Sequence, residues 1–264
     1  QELEERIPVA DFADLEAAYP DAGISDLDGY LTLSEISVRG VLADETLYLE
    51  DCRTRAGSYS FCESIVLPSF SLAKTLYAGL GLAAMAHEFP VDPHSQTLGE
   101  LLGASGTWST VTVENALDMA TGHYLHENQD DWDVPNFYSS LDLDGRLKAT
   151  FALPKKREPG ERVVYLTPNT QTVSAAMDVF LERQEADIVD SFDYLVDRIL
   201  EPLGVPPESH HSLRTWENGG ANNGTAFGGY GMWFTPQGVA KLGDFLQRGG
   251  DGLLASEPWA QMMF

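Results

Sequence analysis

Positive charge is scarce in this 264-residue chain. Sixteen lysines and arginines face 41 aspartates and glutamates, a formal net charge of −25, and only five of the sixteen are lysines. The densest basic run is Lys155-Lys156-Arg157. A field of this sign repels phosphate backbones and anionic lipid, which argues against nucleic acid or a membrane surface as partner. It suits a salty habitat and serves solubility equally well. Long apolar runs are also missing. The best candidate, residues 67–86, is interrupted by Ser69, Ser71 and Lys74, so no stretch reaches the roughly 18 residues of a membrane span. Cysteine is reduced to Cys52 and Cys62. Ten positions apart around Ala56-Gly57-Ser58, they suit a disulfide closing a hairpin-like loop, which implies a periplasmic or secreted location. Two free buried thiols are the other reading.

Several chemical signatures are absent as well. The histidines His87, His123, His126, His210 and His211 show no H-E-x-x-H or comparable spacing, so no metal and no cofactor are expected. No G-x-S-x-G elbow is present, which removes the usual setting for a Ser-His-Asp triad. Gly228-Gly229-Tyr230-Gly231 is too short for a phosphate loop. Asp130-Asp131-Trp132-Asp133 reads as an exposed acidic loop rather than a cation site. Repeats and low-complexity tracts are missing too.

What remains is a globular composition, 43% hydrophobic and 10% aromatic. A short helix is expected over 9–19, and two strands over 35–42 and 46–50 with Ala43-Asp44-Glu45 between them. Residues 71–88 are apolar on nearly every face, the mark of a central helix. A helix over 113–120 starts from a Thr112 cap and closes at Gly122. Residues 126–146 read as a polar, aromatic surface excursion, whose Trp132, Phe137 and Tyr138 are placed to overhang an active site. Helices follow at 170–185 and 190–201, ended by Pro202 and Gly204. A last helix runs from Pro236 to Arg248, with Gly249-Gly250 beyond it.

Ser71-Leu72-Ala73-Lys74 is an S-x-x-K tetrad at the opening of the central helix, where positions i and i+3 share a face. A serine hydroxyl attacks only when something removes its proton, and an uncharged amine can do so. Burial disfavours the ammonium, and Phe70, Leu72, Ala73, Leu76 and Tyr77 are expected to form a dry pocket around Lys74. At a helix start the Ser71 N–H is free to face an oxyanion. Alone, the tetrad reads first as a helix-capping serine beside a surface lysine. A lysine inside an apolar helix is costly without a task or a partner.

The surrounding segments resemble the serine β-lactamase and penicillin-binding-protein family, including class C β-lactamases, family VIII esterases and nylon-oligomer hydrolases. The likeness lies in residues 67–76 around the tetrad, in 111–123, and in Pro159-Gly160 through Tyr165 and Thr167. It continues in Ile199 with Pro202-Leu203-Gly204, and in 227–243 from Phe227-Gly228-Gly229 onward. The resemblance implies an α+β fold, with a helical subdomain packed on an antiparallel sheet. One incomplete domain is expected over 1–264: N-terminal strands in 1–66, the helical subdomain with the site in 67–250, and the start of a return to the sheet in 251–264. The family's K-T-G or H-T-G strand would follow some tens of residues later, so the chain reads as a fragment or trimmed form. By the same resemblance Ser71 is the nucleophile, Lys74 its base, Tyr165 a second proton carrier and Thr167 a substrate-binding residue. Thr167 stands where β-lactamases carry Asn, which favours a small ester or amide over a β-lactam. A D-Ala-D-Ala carboxypeptidase, a β-lactamase, and a non-catalytic binding or sensor domain on the same scaffold are the alternatives.

Overall fold

Alternation over residues 40–49 resolves into a hairpin. β2 (Gly40–Ala43) pairs antiparallel with β3 (Thr46–Leu49), turning through Asp44 and Glu45, both at positive φ (43° and 61°). Two consecutive positive-φ residues make the kind of turn whose twist matches the strands it joins. β1 (Val9–Asp11) lies along the other side of β3, in parallel. The sheet is therefore mixed, with its expected antiparallel pair at β2–β3. β1 runs directly into α1 (Phe12–Ala18), where Asp11 caps the helix by accepting the Ala13 N–H at 2.8 Å. The computed structural model describes residues 6–24, 36–128 and 134–254. The expected acidic loop at 130–133 and most of 251–264 lie outside them.

β4 (Cys52–Thr54) and β5 (Gly57–Tyr59) form a second hairpin, and a disulfide joins Cys52 to Cys62 with Cα atoms 5.2 Å apart. A two-residue ladder then ties β6 (Leu67–Pro68) to β7 (Trp233–Phe234). This ladder brings the segment before Ser71 beside the segment after Gly229.

The central helix follows. After one α-helical step at Leu72 and Ala73 it widens into a π-helical turn, Lys74–Gly79, and continues as α2 (Leu80–Glu88). Leu80, Leu82, Ala83 and Met85 are almost wholly buried, each large side chain worth roughly 1.5–3 kcal/mol of burial. Around it pack α6 (Thr167–Arg183) and α7 (Ser191–Leu195), the latter continued by a second π turn, Val196–Leu200. α3 (Leu98–Leu102) and α4 (Val113–Leu117) rest on α6, each opened by a reciprocal cap, Thr97 with Glu100 and Thr112 with Asn115. α4 ends sooner than its sequence suggests because Met119 is left-handed at φ 55°. α5 (Leu143–Phe151), capped by Asp142, occupies part of the supposed surface excursion. α8 (Pro236–Gln247) starts from Thr235 and stops before Gly249 and Gly250, at φ 74° and 80°.

One large apolar cluster joins α2–α4, α6, α7 and α8, while Leu47, Leu49 and Ala240 form a smaller one between the sheet and α8. Among the described residues, no helix is long and apolar enough to cross a membrane.

Candidate active site

Four hydrogen bonds converge on the tetrad. The Lys74 amine lies 3.2 Å from Ser71 Oγ, 2.9 Å from Thr167 Oγ1 and 2.8 Å from the Gly229 carbonyl oxygen. The Tyr165 hydroxyl donates to Ser71 Oγ at 2.5 Å. Each group reaches this point by a different route. Lys74 and Ser71 stand one helical turn apart, Tyr165 ends the loop before α6, Thr167 opens α6, and Gly229 comes from the turn that precedes β7. The four residues expected from the sequence are thus joined in one hydrogen-bonded chain, Tyr165–Ser71–Lys74–Thr167, and a fifth group joins them. That group is the Gly229 carbonyl, which leaves no side-chain signal to read.

The surroundings of Lys74 differ from the expected dry pocket. Lys74 is 9% exposed, but Phe70 and Leu72 point outward at 73% and 41%. Ala73, Leu76 and Tyr77 are buried as expected, and at the amine itself cover comes from Thr167, which is 3% exposed, from the backbone of Gly229 and from the Tyr165 ring 5.0 Å away. The cradle is polar, which is how a buried amine is tolerated. Gly229 O can only accept, and with Thr167 Oγ1 and Ser71 Oγ it gives Lys74 Nζ three oxygen partners, two of which fix its direction from the side away from Ser71. Thr167 accordingly touches Lys74 rather than open solvent.

Phe70 sits at φ 44°, an uncommon conformation for a bulky residue. The chain turns sharply there, so that Leu72, Ala73 and Lys74 N–H groups bond back to Ser69, Phe70 and Ser71 carbonyls. The Ser71 N–H takes no part in this first turn. Strain of this kind, of order 1–3 kcal/mol, is held in place by neighbours, here the Ser69 N–H donated to Met232 O at 2.9 Å. Tyr165 is half exposed, and Val163 beside it is 66% exposed. Ser71 therefore has a dry side at Lys74 and a wet side at Tyr165.

Behind the helix, Tyr77 is wholly buried, and its hydroxyl lies 2.7 Å from Ser191 Oγ. Ser191 Oγ and N–H both reach Asp178 Oδ1, at 2.5 and 2.8 Å, and Thr225 donates to Asp178 Oδ2 at 2.9 Å. Loss of water lifts the Asp178 carboxyl from 3.8 to about 6, and the same cause holds the Tyr77 phenol well above its ordinary value.

Other expected candidates lie elsewhere. Phe137 is completely buried and cannot overhang the site, while Tyr138 is half-buried against it, with ring centroids 5.0 Å apart; Trp132 lies outside the described residues. His123 is 1% exposed, stacked on Trp108 and bonded to Thr107 and the Thr121 carbonyl, and burial lowers its pKa. His210 meets the Val205 carbonyl at 2.9 Å, while His87, His126 and His211 are exposed. Among the described residues no three His, Cys, Asp or Glu side chains are grouped to hold a metal ion. An apolar recess of about 350 Å³, lined by Leu42, Leu47, Leu67, Leu72 and Phe234 among others, lies between sheet and α8 and does not include the four converging groups.

No family model matches the sequence, and no curated protein is similar to it in sequence. Solved structures are similar to it in shape. A penicillin-binding protein from Bacillus halodurans superposes with a TM-score of 0.61 at 15% identity, over 86% of this chain and 74% of its own. A structure described as a beta-lactamase from Bacteroides dorei DSM 17855 gives 0.59 at 15%, over 95% and 68%. D-amino acid amidase from Ochrobactrum anthropi SV3 gives 0.59 at 15%, over 86% and 70%. The chain has the β-lactamase/transpeptidase fold. Within that fold, the converging groups sit where the central helix opens and α6 begins.

Proposed function

We propose that the chain is a serine hydrolase that cleaves a small ester or amide through an acyl-enzyme on Ser71. The observation that carries this reading is the set of three partners around the Lys74 amine. Two of them accept its hydrogens and the third is the Ser71 hydroxyl.

The steps follow from the geometry. Ser71 Oγ attacks the substrate carbonyl carbon as its proton passes to Lys74. The Ser71 N–H faces the oxygen that gains negative charge. The Tyr165 hydroxyl, on the solvent side, delivers a proton to the departing alkoxide or amine, and the proton that Lys74 took from Ser71 makes good the loss. Water then enters from the same side and releases the acid. Thr167 acts through Lys74 by holding its hydrogens away from Ser71. No cofactor enters any step.

The structural neighbours support hydrolysis of an ester or amide, since they include an amidase and a beta-lactamase. A fluorophosphonate probe should label the wild type and leave Ser71→Ala unlabelled. An unlabelled wild type would favour a binding domain on the same scaffold. Turnover of p-nitrophenyl butyrate without nitrocefin would separate an esterase from a β-lactamase.

A further inference from the structure

The carbonyl that holds Lys74 belongs to Gly228-Gly229-Tyr230-Gly231, and three of these four residues have no side chain to hold their own position. The glycines are required by close approach to α6. A Cβ on Gly228 would stand 2.6 Å from the Thr170 carbonyl oxygen, and one on Gly229 would stand 2.8 Å from Thr170 Oγ1. Gly231 lies at φ 104°, where a side chain is strained. Anchorage falls to the two aromatic residues that flank the glycine pair, Phe227 and Tyr230, whose rings touch with centroids 4.9 Å apart.

One group holds both. The Arg146 guanidinium lies 4.2 Å from the Phe227 ring centre and 5.1 Å from that of Phe137, and its Nη1 donates to the Tyr230 hydroxyl at 3.2 Å. Its Nε donates to the Ser140 carbonyl at 3.1 Å. Arg146 is 5% exposed, and among the described residues no carboxylate pairs with it. A buried cation whose partners are two rings, a hydroxyl and a carbonyl is an expensive way to fill a core. Its planar fork can stack and donate at once, which a lysine cannot do.

Building on the hydrolase reading, we infer that Arg146 is a positioning residue. By clamping Phe227 and Tyr230 on either side of the glycine pair, it fixes the Gly229 carbonyl that aims Lys74 at Ser71. When the clamp loosens, the amine loses a fixed acceptor and drifts from Ser71 Oγ, while the pocket a substrate first meets is unchanged.

The test uses the whole chain, with Arg146→Lys and Tyr230→Phe, and reads fluorophosphonate labelling as a maximal rate and a half-saturating concentration across pH. Arg146→Lys should lower the maximal rate about tenfold or more, leave half-saturation within about twofold, and move the pH of half-maximal rate, with Tyr230→Phe smaller in the same direction. A lower melting temperature with a wild-type rate and pH profile in the folded fraction makes Arg146 structural and overturns the inference. If Arg146→Lys does not fold, Tyr230→Phe decides: an unchanged rate and pH profile overturns it. An unlabelled wild type defeats the hydrolase reading instead. The clamp is then judged by a crystal structure of Tyr230→Phe, where a Gly229 carbonyl still 2.8 Å from the Lys74 amine overturns it and a displaced one supports it.

Discussion

At the scale of single residues, the site is a problem of where hydrogens point. Lys74 has three partners, and of the two hydroxyls among them only that of Ser71 is exposed to an incoming substrate, Thr167 being buried. Lys74→Met should therefore reduce acylation by about a thousandfold, within the range of lost acid–base catalysis. Tyr165→Phe should cost roughly a hundredfold, most of it with poor leaving groups, because the phenol acts on the solvent side. Thr167→Val should cost about tenfold, since it leaves Gly229 as a fixed acceptor. Rates of probe labelling and of p-nitrophenyl ester turnover check the order; equal losses at Lys74 and Thr167 would contradict it. Ser71 and Lys74 could be named from the tetrad, while Tyr165 and Thr167 were named through the family resemblance, Thr167 as a substrate-binding residue. The Gly229 carbonyl and Arg146 could not. A backbone acceptor has no residue type, and a single arginine in a polar stretch looks solvated until the fold folds two aromatic rings over it. The same blindness placed Phe70 and Leu72 inside the pocket: periodicity marks faces of a helix, but the left-handed turn at Phe70 precedes the helix and sends both side chains outward.

At the scale of elements, α6 is the spine of the site. Its first residue, Thr167, holds Lys74, Thr170 and Ser174 lie against Gly228 and Gly229, and Asp178, about three turns along, holds α7 and Thr225. The Asp178 carboxyl titrates at about 6 in the fold against 3.8 when solvated, so its neutral form is the better folded one. Stability from this group is present below pH 3.8 and lost as pH rises through 6. Asp178→Asn removes the titration and keeps the geometry, with Oδ1 accepting from Ser191 and Nδ2 donating to Thr225 Oγ1. Its stability relative to wild type should rise between pH 4 and pH 8 by on the order of 2 kcal/mol. Urea melts at both pH values measure this, and a constant difference contradicts it. The long elements α2, α6 and α8 were legible because a sustained apolar period or a cap-and-proline start leaves many residues to agree. α3 was missed although Thr97 and Glu100 spell a capping box, the signal that would have found it. Thr97→Ala should cost about 1 kcal/mol and destabilise α3 first, read as faster amide exchange at residues 98–102; protection equal to wild type there would argue that packing on α6 suffices. α5 offered less: its acidic start blends into the polar stretch before it, and its buried face depends on Arg146, Ala149 and Thr150 rather than on large apolar residues.

Across the whole molecule, the excess of acid shows in how three arginines are shared. Arg198 is shared by Glu88, Asp187 and Asp197, Arg214 by Asp190 and Asp193, and Arg248 by Asp244 and Asp251. Apart from the half-buried Arg214–Asp190 pair these contacts are solvent-facing, worth about 0–1 kcal/mol each, and salt weakens them. Against them stand 25 acids without a matching base, whose mutual repulsion opposes the compact state over longer distances. Raising ionic strength from about 0.01 to 1 M shortens the screening length from roughly 30 to 3 Å, which removes the long-range repulsion while contact pairs at about 3 Å lose only part of their attraction. Repulsion is the larger and the more easily screened of the two, so the melting temperature should climb by several degrees across that range of KCl. Chloride is the right anion because sulfate would strengthen apolar burial independently of charge. A flat or falling melting curve with KCl would mean that the shared arginines, and not the bare acids, dominate the field.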